Sequence, residues 1–330
     1  MSALPSKIGN RTFGLPRSLH ALGANVLLLP LGIANSVLIA RTIGPAGKGN
    51  FDLILATAAL LGTTLALSLP PGITYVVAQA KTKLSGFSTQ LLIVSVAQGL
   101  LAFAILAVLR LVGKDGYFLP KTFGSWIVVA VAVYVWVEVL TRFWAAILAG
   151  KQEIAVVNNS EVIGRVSQFV MLFTLAGVLY LLNRQLSVPA LLGVSFAANV
   201  LINLLIVRGL DLKLRFSTDT GSLKAATSFA LPCYLSNVTQ FLNYRLDVFI
   251  VSMFAGAASL GRYTLAVSLA QLLWLMSNSF ATVLLPKVAA SDDLSASVQH
   301  TSRVTRLALW ASVLCGVALG LFASQAIPLF

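Results

Sequence analysis

The sequence predicts an all-α protein, a polytopic bundle of transmembrane helices, from three observations. Hydrophobic residues fill 58% of the 330 positions and charged residues only 10%. Mean hydropathy is +0.91, more apolar than a soluble domain of this size could hide in its interior. Runs of about 20 apolar residues recur along the chain, each able to cross a ~30 Å hydrocarbon core as a helix.

Nine such runs follow one another, at residues 19–40, 50–69, 88–112, 124–149, 159–182, 187–207, 225–254, 260–285 and 306–329. The first comes after Lys7, Arg11 and Arg17, as a signal peptide would. Its apolar stretch from Ala21 to Ala40 is too long for a signal h-region and more spans follow, so it reads as a retained helix. In the second run Pro70-Pro71-Gly72 predicts a break near the end. Pro30 and Pro232 predict kinks in the first and seventh, because proline lacks an N–H and crowds the carbonyl one turn back. The fourth and fifth runs form a hairpin through a turn near Gly150. No loop exceeds about 20 residues, which leaves no soluble domain.

The net charge is +13, which in a soluble protein would point to nucleic acid. Here the cations sit mainly in short loops and report orientation instead, so the bilayer is the expected partner and nucleic acid is not. Alternating loops place 13 Lys and Arg on the side of the N-terminus and 7 on the other, with Arg142, Arg165 and Arg245 inside spans. The N-terminus is therefore expected to be cytoplasmic. Cys233 and Cys315 fall in predicted helices without metal-ligand spacing, so no disulfide framework is expected. The two histidines, His20 and His300, lie near the predicted cytoplasmic surface. There is no Walker A loop, nucleophile elbow or metal-binding His cluster, so neither an enzyme nor a cofactor is expected.

An internal repeat appears at an offset of 212 residues. Ile43-Gly44-Pro45-Ala46-Gly47-Lys48-Gly49-Asn50-Phe51 aligns with Ala255-Gly256-Ala257-Ala258-Ser259-Leu260-Gly261-Arg262-Tyr263. The same register puts Asn25 on Asn237, Asn35 on Asp247, Leu53 on Leu265 and Val76 on Val288. Six spans separate the copies, an even number, so both halves enter the membrane in the same sense, as in the parallel type of transporter repeat. Two Gly-rich turns could align by chance, and the flanking matches weigh against that.

Polar groups deep in a span are costly and so are functional candidates. The seventh run carries Ser236, Asn237, Gln240, Asn243, Tyr244 and Asp247 on one arc of roughly 120° at the helical period. The eighth carries Thr264, Ser268, Gln271, Asn278 and Thr282 on a narrow face. Two such stripes fit a shared water-filled cavity, or hydrogen bonds that only hold the bundle together. Glu138 and Arg142 are four residues apart on the fourth run, as are Glu161 and Arg165 on the fifth. Arg142 and Arg165 should sit at similar depth, where each guanidinium could bind a phosphate or be neutralised by its own glutamate. Arg245 and Asp247 are two apart and point to different faces. Asp247 could hold a coupling cation, meet an arginine across the cavity, or make a structural interhelical pair.

With these residues in place the chain resembles the polysaccharide transporter family, the O-antigen and exopolysaccharide flippases of the multidrug/oligosaccharidyl-lipid/polysaccharide superfamily. The resemblance rests on Ala40-Arg41-Thr42-Ile43-Gly44-Pro45-Ala46-Gly47-Lys48-Gly49, on Asn243-Tyr244-Arg245-Leu246-Asp247-Val248-Phe249, and on Leu260-Gly261-Arg262-Tyr263 with Leu284-Leu285-Pro286-Lys287-Val288. It implies two six-helix lobes around a central cavity, often cationic, and alternating access. It also implies a polyprenyl-pyrophosphate-linked oligosaccharide as the partner carried, other polysaccharide assembly proteins as neighbours, and a bacterial inner membrane as the location. A multidrug exporter of the same superfamily is the alternative, which three intramembrane arginines disfavour. A membrane glycosyltransferase or polymerase would want catalytic groups on a sizeable external loop. In the repeat register Phe330 maps onto residue 118. Residues 1–210 are thus expected to form a six-helix lobe and 211–330 only three helices of a second, truncated lobe.

Overall fold

The computed structural model describes residues 15–79, 84–210, 220–289 and 294–326 and is helical throughout them, apart from short turns. Eight helices follow in order: α1 Leu15–Leu65, α2 Leu69–Ala78, α3 Leu84–Leu111, α4 Trp126–Gly150, α5 Ile154–Leu181, α6 Val188–Leu210, α7 Thr220–Ala289 and α8 Leu294–Ala326. By length and composition α3, α4, α5, α6 and residues 221–271 of α7 can cross a membrane, and α1 with α2 adds a span bent by 50°.

Two of these helices are too long for one crossing. At 1.5 Å per residue, the 51 residues of α1 would extend about 77 Å and the 70 of α7 about 105 Å. Each is bent at a glycine with nearly identical dihedrals, Gly44 at φ 71°, ψ 174° and Gly256 at φ 76°, ψ 175°. A positive φ is open to glycine and strained for other residues, so these two positions fix where the chain turns. The turn at Gly256 folds α7 back on itself. Tyr263 donates a 2.5 Å hydrogen bond to Asp247, sixteen residues earlier, a separation of about 24 Å along a straight helix. Counting each arm, and joining α2 to the arm it continues, gives nine helical segments in the order of the nine apolar runs.

Gly44 and Gly256 are 212 residues apart, and the symmetry extends to their contacts. A methyl on Gly49 would meet the Ala257 carbonyl oxygen at 1.8 Å, and one on Gly261 would meet the Pro45 carbonyl oxygen at 2.0 Å. Both pairs interchange under the same offset. The two bends therefore pack backbone to backbone about a local two-fold. Beside them Asp52 accepts hydrogen bonds from both Lys48 and Thr264, and positions 52 and 264 are also repeat partners.

The break expected near the end of the second span is present, and the sharpest turns within α1 and α7 are at glycines. The sharp bends fall at Gly44 and Gly256, and α1 and α7 keep helical dihedrals through Pro30 and Pro232. The second span breaks at residues 66–68, just before Pro70 and Pro71, which occupy the first turn of α2. There the missing N–H groups would have had no helical acceptor, and the helix before them has to end. Leu67 and Ser68 take left-handed conformations to make the joint. The carbonyl of Leu65 is capped by the Gln98 side-chain amide of α3 at 2.7 Å, which is how a bilayer tolerates a broken helix.

The main core lies among α1 to α6, around Phe87, Leu91, Phe143, Ile147 and Leu148. A smaller cluster joins Leu53 and Ala56 of α1 to Val248, Phe249 and Leu260 of α7. Phe118, in the turn after α3, stacks at a tilt on Phe249 and accepts a hydrogen bond from Thr57 through its carbonyl.

Candidate functional site

The break in the second span opens a cavity of about 440 Å³ between three elements. Thr63, Ala66, Ser68, Pro70 and Pro71 line it from the break, Arg142 from α4, and Asn237, Gln240, Phe241 and Tyr244 from α7. Arg142 is half-buried there. Its Nη2 donates to Glu138 Oε1 at 2.5 Å and its Nη1 to Thr63 Oγ1 at 3.3 Å. Glu138 follows from helical spacing, one turn away on the same face. Its carboxylate lies against Gly62, where an added Cβ would sit 3.6 Å from Oε2. Across the cavity Asn237 donates to the Ser68 hydroxyl at 2.8 Å, tying α7 to the strained joint.

A second cavity of about 300 Å³ shares Phe241 and Tyr244 with the first and adds Arg245, Val267, Ala270 and Gln271. The two rings are common to both cavities, and each cavity holds one arginine. The structure thus brings Arg142, Asn237 and Gln240 to one cavity, with Glu138 paired to the guanidinium, and Arg245 and Gln271 to its neighbour.

Other sequence candidates fall elsewhere. Arg165 is exposed and donates to Gln168 at 3.2 Å on its own helix; no ion pair links it to Glu161. Arg165 is not among the residues that line the α4–α7 cavity. Asp247 accepts from Tyr263 and from the Val248 N–H, an interhelical tie around the Gly256 bend. Asn243 is exposed and lines neither cavity, and Asn35 is buried in α1. The side chain of Asn278 lies outside the described residues.

Sequence reasoning missed a polar network within α4, α5 and α6. Asn199 donates to the Tyr134 hydroxyl at 2.8 Å, Asn203 to Thr141 at 3.0 Å and Gln168 to Ser195 at 3.1 Å. Its signal was the four-residue spacing of Ser195, Asn199 and Asn203 along an otherwise apolar run. Thr63 carried no signal, since one threonine in a span is ordinary.

The family profile of polysaccharide biosynthesis proteins matches residues 19–291. The chain belongs to that family. No curated protein matches it in sequence. Among solved structures, an inward-facing multidrug resistance MATE family transporter of the MOP superfamily shares the fold with TM-score 0.65 at 17% identity, over 94% of this chain and 75% of its own. An outward-facing MATE transporter gives 0.55 at 18%, over 93% and 71%. A MATE in complex with Br-NRF gives 0.54 at 16%, over 92% and 74%. Identities this low carry the fold alone. With its apolar helices, this family member is a multi-pass membrane protein that shares the fold of MATE transporters.

Proposed function

We propose that the protein flips a polyprenyl-pyrophosphate-linked oligosaccharide across the bacterial inner membrane by alternating access. The observation that carries this reading is the Arg142 guanidinium, set in a cavity whose other lining combines the amides of Asn237 and Gln240 and the hydroxyls of Thr63, Ser68 and Tyr244 with Phe241, Ala66 and two prolines. A planar guanidinium suits the pyrophosphate, and Asn237 and Gln240 offer hydrogen bonds to sugar hydroxyls. The lipid tail can stay in the bilayer, and no covalent step is needed. A cation exporter would call for a free carboxylate in the cavity, whereas Glu138 is engaged by Arg142. The backbone contact between the Gly44 and Gly256 bends supports a division into lobes near residue 210, closed against each other at that end.

Mass spectrometry of lipid-linked intermediates tests the reading. A deletion strain should accumulate a complete polyprenyl-pyrophosphate oligosaccharide in its inner membrane, and the gene should clear it. An unchanged lipid-linked pool would sink the proposal.

Orientation follows from the loop charges, with the N-terminus and Lys151 cytoplasmic and Lys114 and Arg184 outside. Cysteine at 114 or 184 should react with a membrane-impermeant thiol reagent on intact cells, and cysteine at 151 only after permeabilisation. Labelling of position 151 from outside would reverse the orientation.

A further inference from the structure

Resting on that reading of Arg142, we propose that Glu138 is an internal stand-in for the substrate phosphate, holding the guanidinium while the cavity is empty and competing the headgroup off it for release. Arg142 is neither free nor sealed away. Its side chain keeps 36% of its surface exposed, and Glu138 keeps 21%. One terminal nitrogen is engaged by a carboxylate oxygen at 2.5 Å and the other by a neutral hydroxyl at the longer distance of 3.3 Å. The hydroxyl is the weaker contact, so an anion can take that nitrogen first. A phosphate that takes the whole fork has to push the carboxylate aside.

The consequence is a site tuned for passage. An uncompensated guanidinium in a low-dielectric cavity holds an anion strongly, and a carrier that binds too tightly does not let go. Glu138 sits on the same rigid helix, one turn from Arg142, so it is present at fixed effective concentration in every conformation of the lobe. Its carboxylate rests against Gly62, next to Thr63. Thr63 belongs to the arm that ends in the strained joint at Leu67 and Ser68, and Glu138, carried by α4, packs against that arm at Gly62. Movement of that joint would make or break the Thr63 contact and leave Glu138 in place, coupling conformation to affinity.

The test uses purified protein in detergent with farnesyl pyrophosphate as the probe and farnesol as the uncharged control. Glu138→Gln keeps the shape of the side chain and removes the charge. It should bind the pyrophosphate up to roughly fivefold more tightly, the factor that the upper end for a partly exposed ion pair corresponds to. Export of the glycan by the same variant should fall. Glu138→Asp, which withdraws the carboxylate by one methylene, should tighten binding by less, and serves if the glutamine variant does not fold. Arg142→Gln should bind pyrophosphate no better than farnesol. A glutamate that only positions the guanidinium would give looser binding on removal. Unchanged or weaker binding by both Glu138 variants, with loss in Arg142→Gln, would overturn the competitor role and leave the headgroup site standing. Equal binding by wild type and Arg142→Gln would overturn the headgroup reading itself.

Discussion

An Arg142→Ala variant will reach the membrane at near-normal abundance and export little or no glycan. A charge-assisted hydrogen bond is worth about 1.5–3 kcal/mol, which is roughly 10- to 150-fold in affinity. The truncation also leaves the Glu138 carboxylate without its partner beside the cavity, so the site gains negative charge where an anion must bind. Both effects act on the same step, and export should fall by the larger end of that range. Arg142→Lys should restore only part of it. Lysine keeps the charge, but a single ammonium cannot hold Glu138 and Thr63 in the separate directions the planar fork allows. Glycan export normalised to membrane abundance is the measurement. Wild-type export from Arg142→Ala would leave the pair with a packing role only.

How much of this could be read in the sequence depends on whether a feature is local. The nine apolar runs, the 212-residue offset and the Glu138–Arg142 pair all follow from spacing along one helix or between two copies. The hydrogen bonds of Asp247 do not, since the Tyr263 hydroxyl lies sixteen residues away and meets it only because Gly256 turns the chain back. Depth along a helix is likewise legible, whereas azimuth in the bundle is not. Arg142 and Arg165 have equivalent positions on a hairpin, yet one lines the cavity and the other is exposed. Lys48 is the plainest case. It counts among the loop charges outside the membrane, but packing of the two bends buries it on Asp52, leaving 5% of its side chain exposed. The break in the second span is legible in part. Proline chemistry predicts that a helix ends before Pro70, but the left-handed pair at Leu67 and Ser68 depends on what Gln98 and Asn237 offer across the gap.

Gly49→Val and Gly261→Val are expected to have equal and severe effects, which would be improbable for two residues so far apart in sequence without the repeat. On each, the new Cβ falls about 2 Å from a carbonyl oxygen of the opposite bend, at 1.8 Å from Ala257 and 2.0 Å from Pro45. Each also falls 2.9 Å from the other glycine's nitrogen. Backbone cannot rotate aside as a side chain can. To reach an ordinary contact of ~3.3–3.6 Å between carbon and oxygen the bends must part by about 1.5 Å. Overpacking of that kind costs about 1–3 kcal/mol. The separation would also stretch the Thr264–Asp52 hydrogen bond and loosen Lys48, which pairs with that same carboxylate. Melting of purified protein and export in cells should therefore fall together in both variants. Gly193→Ala, where an added Cβ meets nothing within 4 Å, should change neither. The double variant Gly49→Val/Gly261→Val should cost clearly less than the two single costs together, because once the bends are apart the second side chain has room. Full additivity, or a silent result at one glycine with loss at the other, would mean that the close approach of the two bends is not what these glycines are for.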